Sequence, residues 1–262
     1  MKSRLLLIAL LTSFTSFGQV LNYDGNDDGC VDVNDMLGLL IEYGQCLDEQ
    51  EEFMCGDNIN HEGYNYSTVQ IGDQCWFSEN CRYLPVVSPS IEANSTDPYY
   101  YVYGYEGTDV EEAKSTDNYA IYGVLYNWPA VMTEGVCPSG WHIPTDLEWQ
   151  TMEMALGLSA SEASSTGWRG TDQGSQMKST TGWDNTVFGG GNGSNSSGFN
   201  GLPGGLSSTG GFTSSGLSGY WWSSSASNDI AAWVRRLENS LDGVLRYDNG
   251  RYYGFPARCI RD

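Results

Sequence analysis

Thr145 stands three residues before Glu148, and that pair constrains the fold more tightly than any other feature of the chain. Each side chain can satisfy a backbone donor left free at a helix start, so the pair reads as a capping box. Behind it Trp149, Met152, Ala155 and Leu156 recur at helical spacing, and Gly157 supplies a stop, which predicts a helix over 146–156. Upstream, Cys137 leads into a Pro138-Ser139-Gly140 turn, Trp141 and Ile143 flank His142, and Pro144 biases Ile143 toward an extended backbone. The stretch 137–149 therefore predicts an extended segment, a turn, and a short amphipathic helix that carries a tryptophan into a core.

The remaining pattern predicts short strands and long loops. Residues 64–71 alternate, and Gly72-Asp73 is a two-residue hairpin signal ahead of 74–77. Residues 83–118 are polar and tyrosine-rich, with Pro85, Pro89 and Pro98 interrupting them, and read as loops; 122–128 reads as a buried segment. Residues 159–193 are mostly Ser, Thr and Gly around Trp168 and Trp183. Residues 189–219 approach low complexity, yet Phe199, Leu202, Leu206 and Phe212 punctuate them, which predicts ordered loops pinned by single apolar side chains. Closing strands are expected over 220–224, 231–237, 243–247 and 255–260. The 9 Trp, 17 Tyr and 33 Gly suit many short strands and loops rather than long helices; a short helix beside such strands makes α+β the expected fold class, and most of the tryptophans are expected in the core.

Residues 1–18 carry Lys2 and Arg4, an apolar run from Leu5 to Leu11 and a small-residue exit, and read as a signal peptide. No later stretch is apolar for long enough to cross a bilayer as a helix, so a secreted or cell-surface chain is expected. A formal charge of −21 argues against nucleic acid and anionic membranes as partners and suits a hard cation. Seven cysteines in an exported chain imply disulfides with one sulfur left over.

The cation has a candidate site. On a twelve-residue calcium loop, Asp24, Asn26 and Asp28 fall at positions 1, 3 and 5, and Gly29 supplies the turn at 6. Cys30 offers its carbonyl at 7, and Asp32 and Asp35 fall at 9 and 12. A helix is expected over 34–43, and Cys30 and Cys46 bracket the unit, where a bridge would staple a segment too small to fold alone. Aspartate at position 12 resembles the dockerin type I repeat, which implies a cohesin-type partner; a dockerin carries two repeats, and one is present. The expected organisation is signal peptide 1–18, calcium unit 19–47, acidic linker 48–54, and a second domain over 55–262.

That second domain resembles the Fibrobacter succinogenes major paralogous domain of secreted and surface proteins. The matching motifs run in order: Gly72-Asp-Gln-Cys-Trp-Phe-Ser-Glu-Asn80, Tyr122-Gly-Val-Leu-Tyr-Asn-Trp128, the stretch 137–149, Gly201-Leu-Pro-Gly-Gly205, Gly219-Tyr-Trp-Trp-Ser-Ser224, and Gly254-Phe255 with Arg258-Cys-Ile-Arg-Asp262. More distantly, Ile143-Pro144-Thr145 with Glu148-Trp149, and Arg258-Cys259, resemble the formylglycine-generating branch of C-type-lectin-like folds. The resemblance implies a lectin-like domain with a small mixed sheet, short helices and long loops. It also implies a Cys137–Cys259 disulfide; Cys55–Cys75 and Cys30–Cys46 are expected beside it. Cys81, where the family usually has leucine, would be the buried odd thiol.

Catalytic parts are few. Two histidines, His61 and His142, cannot make a three-histidine metal site. The formylglycine-generating enzymes use a closely spaced cysteine pair near the C-terminus, where Cys259 here stands by itself. Ser139 precedes His142 by three residues, but at a turn of the family motif, and Asp146 and Glu148 are accounted for by helix capping. The sugar-binding triplets of calcium-dependent lectins, Glu-Pro-Asn and Gln-Pro-Asp, do not occur. The sequence therefore predicts a non-enzymatic binding or adhesion module for an extracellular glycan or surface protein. The other reading is a component of polysaccharide-degrading machinery, as a docking partner or a divergent formylglycine-type enzyme.

Overall fold

Short strands and tight turns alternate through the residues that the structure describes. The computed structural model describes residues 53–185 and 190–262. The expected signal peptide, the calcium loop with Asp24, Asn26, Asp28, Cys30, Asp32 and Asp35, and the Cys30–Cys46 bridge all lie outside the described residues.

A small hairpin, β1 (Ile59–His61) with β2 (Tyr64–Tyr66), precedes a second, β3 (Thr68–Ile71) with β4 (Gln74–Phe77). Gly72 turns the second hairpin at φ +61°, a conformation that glycine adopts without steric cost. After β5 (Tyr100–Tyr101) come α1 (Val110–Lys114), capped by Asp109, and α2 (Asp117–Tyr122), capped by Thr116. β6 (Leu125–Tyr126), α3 (Trp128–Val131) and β7 (Trp141–His142) lead to α4 (Asp146–Ala155). Both hydrogen bonds of the Thr145/Glu148 capping box are present at its start.

The Ser/Thr/Gly-rich stretch is more regular than its composition suggests. It holds α5 (Ala160–Ser164), β8 (Gly167–Arg169) and α6 (Gln173–Met177). The expected pinned loops over 189–219 contain a hairpin instead, β9 (Gly204–Ser208) with β10 (Gly211–Ser215). Phe199 and Leu206 are buried as anchors; Leu202 and Phe212 are only half-buried. Three longer strands follow, β11 (Ser218–Ala226), β12 (Ala231–Glu238) and β13 (Val244–Gly250), and then the two-residue β14 (Ile260–Arg261).

Among the described residues the strands form two four-stranded sheets, ordered β11-β12-β13-β8 and β3-β4-β14-β7, beside three two-stranded ones. Every pairing between these strands is antiparallel, and among the described residues parallel contacts are confined to single bridges, Cys55–Asp57 and Lys178–Gly201. β14 sits inside its sheet: Ile260 pairs with Trp76 on one side and His142 on the other.

The core lies between the sheets and α4. Trp76, Trp149, Met152, Met177, Phe199, Trp221, Leu237, Val244 and Ile260 belong to one buried cluster. Phe199 meets Trp149 and Trp221 edge-on at centroid distances of 5.7 and 5.3 Å, the arrangement favoured by ring quadrupoles. Trp76, Trp141, Trp149, Trp183, Trp221 and Trp222 are buried, as the sequence predicts for most tryptophans; Trp168 is exposed.

Several family motifs converge on one side chain. Asn80 Oδ1 accepts hydrogen bonds from Trp221 Nε1 at 2.9 Å and Arg258 Nε at 3.1 Å, and its Nδ2 donates to the Tyr122 carbonyl at 2.9 Å. Arg258, fully buried, also donates to the carbonyls of Phe77, Phe199 and Asn200 and lies 3.9 Å over the Phe199 ring. These motif residues are bound to one another inside the domain.

Candidate binding cleft

The turn and extended segment ahead of α4 line a cleft of about 640 Å³ between residues 131–143 and Ser224. Its walls are mostly apolar, with Met132 49% exposed, while Glu134, Ser139 and His142 supply polar atoms. Three constraints hold this lining in place. Cys137 is bridged to Cys259, the Ser224 N–H donates to the Pro144 carbonyl at 2.9 Å, and the capping box fixes where α4 begins.

His142 is held at both ring nitrogens. Nδ1 lies 2.6 Å from Asp262 Oδ1, and Nε2 lies 2.9 Å from Glu148 Oε1. Two carboxylate partners require two N–H donors, so the geometry selects the imidazolium. Burial is the largest influence and lowers the histidine's pKa, but hydrogen bonds to Asp262 and Glu148 outweigh it, and the net direction is upward. With both nitrogens committed, neither is available to activate Ser139.

Beneath the cleft, α4 turns a charged face inward. Asp146, Trp149 and Glu153 fall at i, i+3 and i+7, on one side of the helix. Glu153 receives two hydrogen bonds from Arg169, at 2.8 and 2.9 Å, and one from Arg235 Nε at 2.6 Å. Asp146 receives Arg235 Nη1 at 2.7 Å and both Nε and Nη2 of Arg246 at 3.0 and 2.7 Å. Burial alone would raise the Asp146 pKa, but Arg246 and Arg235 bring it below its ordinary value. The sequence accounts for Asp146 by helix capping; the structure gives that task to Glu148 and sends Asp146 into this network. No spacing rule signals it, since the arginine partners come from β8, β12 and β13.

Cysteine expectations hold where they can be seen. Cys55–Cys75 and Cys137–Cys259 are disulfides, and Cys81 is a buried free thiol. The sequence missed how close that thiol lies to a disulfide. Cys81 Sγ is 3.4 Å from Cys259 Sγ, and the sulfurs of Cys81, Cys137 and Cys259 all lie within 4.8 Å of one another.

Fold and cleft together define a disulfide-stapled α+β domain with small antiparallel sheets. The Fibrobacter succinogenes major domain model matches residues 69–261, most of the chain, and the chain belongs to that family. No curated protein and no solved structure matches it. Among the described residues, no helix is long and apolar enough to cross a membrane.

Proposed function

We propose that this chain is a secreted or cell-surface binding module, without catalytic activity, that takes an extracellular glycan or surface protein in the cleft along residues 131–143. The observation that carries this reading is the preorganised lining: Cys137, His142 and the start of α4 are each fixed by bonds that no ligand has to form. Binding to such a surface loses little conformational freedom. The walls combine apolar area with a few placed polar atoms, as small-ligand sites do. The C-type-lectin-like reading of the scaffold belongs to the same proposal, supported by the bridge that ties Cys137 to Cys259 beside the terminal strand. The amino-terminal loop adds one calcium ion, held by Asp24, Asn26, Asp28, Asp32, Asp35 and the Cys30 carbonyl, as a stabilising cofactor.

A glycan array probed with the purified chain, with and without calcium, tests the reading. Binding is expected for the unaltered protein and for Trp168→Ala, whose exposed ring lies outside the cleft lining. It should be lost in Met132→Arg, which fills the mouth with a charged chain. Retention of every bound glycan by Met132→Arg would move the site elsewhere.

A further inference from the structure

We propose that Cys81, Cys137 and Cys259 form an exchange-competent sulfur cluster: Cys81 displaces Cys137 from Cys259 and releases Cys137 as a thiol lining the cleft, where it takes a disulfide-bearing partner. The proposal does not rest on the glycan reading, although both use one lining, since releasing Cys137 frees one of the three constraints that hold it.

The argument starts from contact. A separation of 3.4 Å brings the Cys81 and Cys259 sulfurs to van der Waals distance. Cys81 is held there by its backbone: its N–H donates to the Ala257 carbonyl at 2.9 Å, and its carbonyl accepts from Val124 N–H at 3.1 Å. Gly123, at φ +73°, lets that carbonyl approach, since a Cβ there would lie 2.7 Å from it. Cys81 and Cys259 are fully buried, whereas Cys137 is half-buried and lines the cleft. Of the three sulfurs, Cys137 is therefore the one an incoming reagent meets first.

The chemistry needs no added oxidant. The Cys81 thiol gives up its proton, and its sulfur bonds to Cys259 Sγ. The Cys259–Cys137 bond breaks, and Cys137 leaves with the electron pair and takes up a proton. One disulfide is lost and one is gained. The Cys137 thiolate can then attack a partner's disulfide, forming a mixed disulfide and expelling the partner's other sulfur as thiolate.

Two features make the first step slow. The three sulfurs form a bent triangle, so in-line displacement requires a side-chain rotation. Burial also pushes the Cys81 thiol up to about 12, with the Arg258 guanidinium opposing, so the thiolate is scarce near neutral pH. The Cys137–Cys259 bridge is the form present in the structure, and both features slow its exchange.

The test treats the oxidised full chain with N-ethylmaleimide under native conditions at about pH 7 and about pH 9, followed by non-reducing peptide mapping. The expected result is label on Cys137 with a new Cys81–Cys259 linkage, at a rate rising about tenfold per pH unit as the thiolate fraction rises. Cys81→Ala should remove the label from Cys137. A Cys137→Ala chain, oxidised while folded, should contain a Cys81–Cys259 disulfide. Three results would overturn the proposal: label on Cys81 with Cys137–Cys259 intact, no label on either cysteine in the folded chain, or two free thiols in Cys137→Ala.

Discussion

Asn80 and Arg258, at opposite ends of the domain's sequence, meet at 3.1 Å through Oδ1 and Nε, and the same oxygen holds Trp221. Replacing Asn80 with alanine removes the acceptor from two buried donors. Each buried donor left unsatisfied costs about 1–3 kcal/mol, so Asn80→Ala should lower stability by about 2–6 kcal/mol. Urea denaturation followed by tryptophan fluorescence would measure this. A loss below about 1 kcal/mol would show that water or a neighbouring group replaces Asn80.

Glu153 sits between Arg169 and Arg235 with its side chain fully enclosed. Glu153→Gln keeps the shape and deletes the charge, leaving two buried guanidinium groups under-compensated. Breaking such a pair from one side typically costs about 3–5 kcal/mol, and a loss of that order is expected. Glu153→Gln combined with Arg169→Met should recover part of it. A double variant no more stable than Glu153→Gln would argue that Arg235 alone sets the cost.

The His142 bridge predicts a pH window. Its raised folded pKa means that the stabilising contribution is complete below the ordinary value of 6.5 and fades as pH rises through the folded value. Glu148 works in reverse. Burial raises its pKa, but bonds from Thr145 and His142 bring it below 4.5, so its contribution is present above 4.5 and fades as pH falls through the folded value. Both groups are charged between those limits. The Tm difference between the unaltered chain and His142→Gln should therefore be widest between 4.5 and 6.5 and narrow in alkaline buffer. The residue is partly exposed, so solvent screening holds the effect to about 0.5–1 kcal/mol. A difference independent of pH would mean that packing, not charge, is what His142 provides.

If residues 24–35 hold calcium as proposed, binding is expected with a dissociation constant on the order of 10⁻⁴ to 10⁻³ M, the range of extracellular modules. Four of the five side chains proposed as ligands are aspartates, whose mutual repulsion a bound cation would relieve. Magnesium should compete poorly, because it accepts fewer ligands. Calorimetry on the intact chain should show calcium heat that Asp24→Ala abolishes, while near-ultraviolet circular dichroism from the tryptophan-rich domain stays unchanged. Calcium heat surviving in Asp24→Ala would remove the loop as the site.

What the sequence revealed was local. The Thr145/Glu148 pair marks the start of a helix because both partners lie within one turn, and Gly72-Asp73 marks a hairpin for the same reason. The strands around Trp221-Trp222, 231–237 and 243–247 are legible because each carries enough branched or aromatic residues to commit itself. β8 and β9 are not, since Gly167–Arg169 offers a single strand-favouring residue, Trp168, and Gly204–Ser208 offers none, so each becomes a strand only because a neighbouring strand pairs with it. The inward turn of Asp146 was hidden by distance: its partners Arg235 and Arg246 lie 89 and 100 residues further along. The three-sulfur contact was hidden in the same way, although each cysteine could be assigned singly.

The position of Ile260 between Trp76 and His142 sets an order of events for a growing chain. Neither flanking strand has a permanent neighbour on that side until the last strand has been synthesised, and Arg258 reaches Asn80 no sooner. Early segments must wait, with Trp76 and Trp149 lacking their final packing, for a piece made nearly two hundred residues after β4 began. Closure is then a late and long-range event, of the kind associated with slow folding. Ribosome-bound fragments ending before Ile260 should remain protease-sensitive throughout, and resistance should appear in one step once the terminal strand is free to insert.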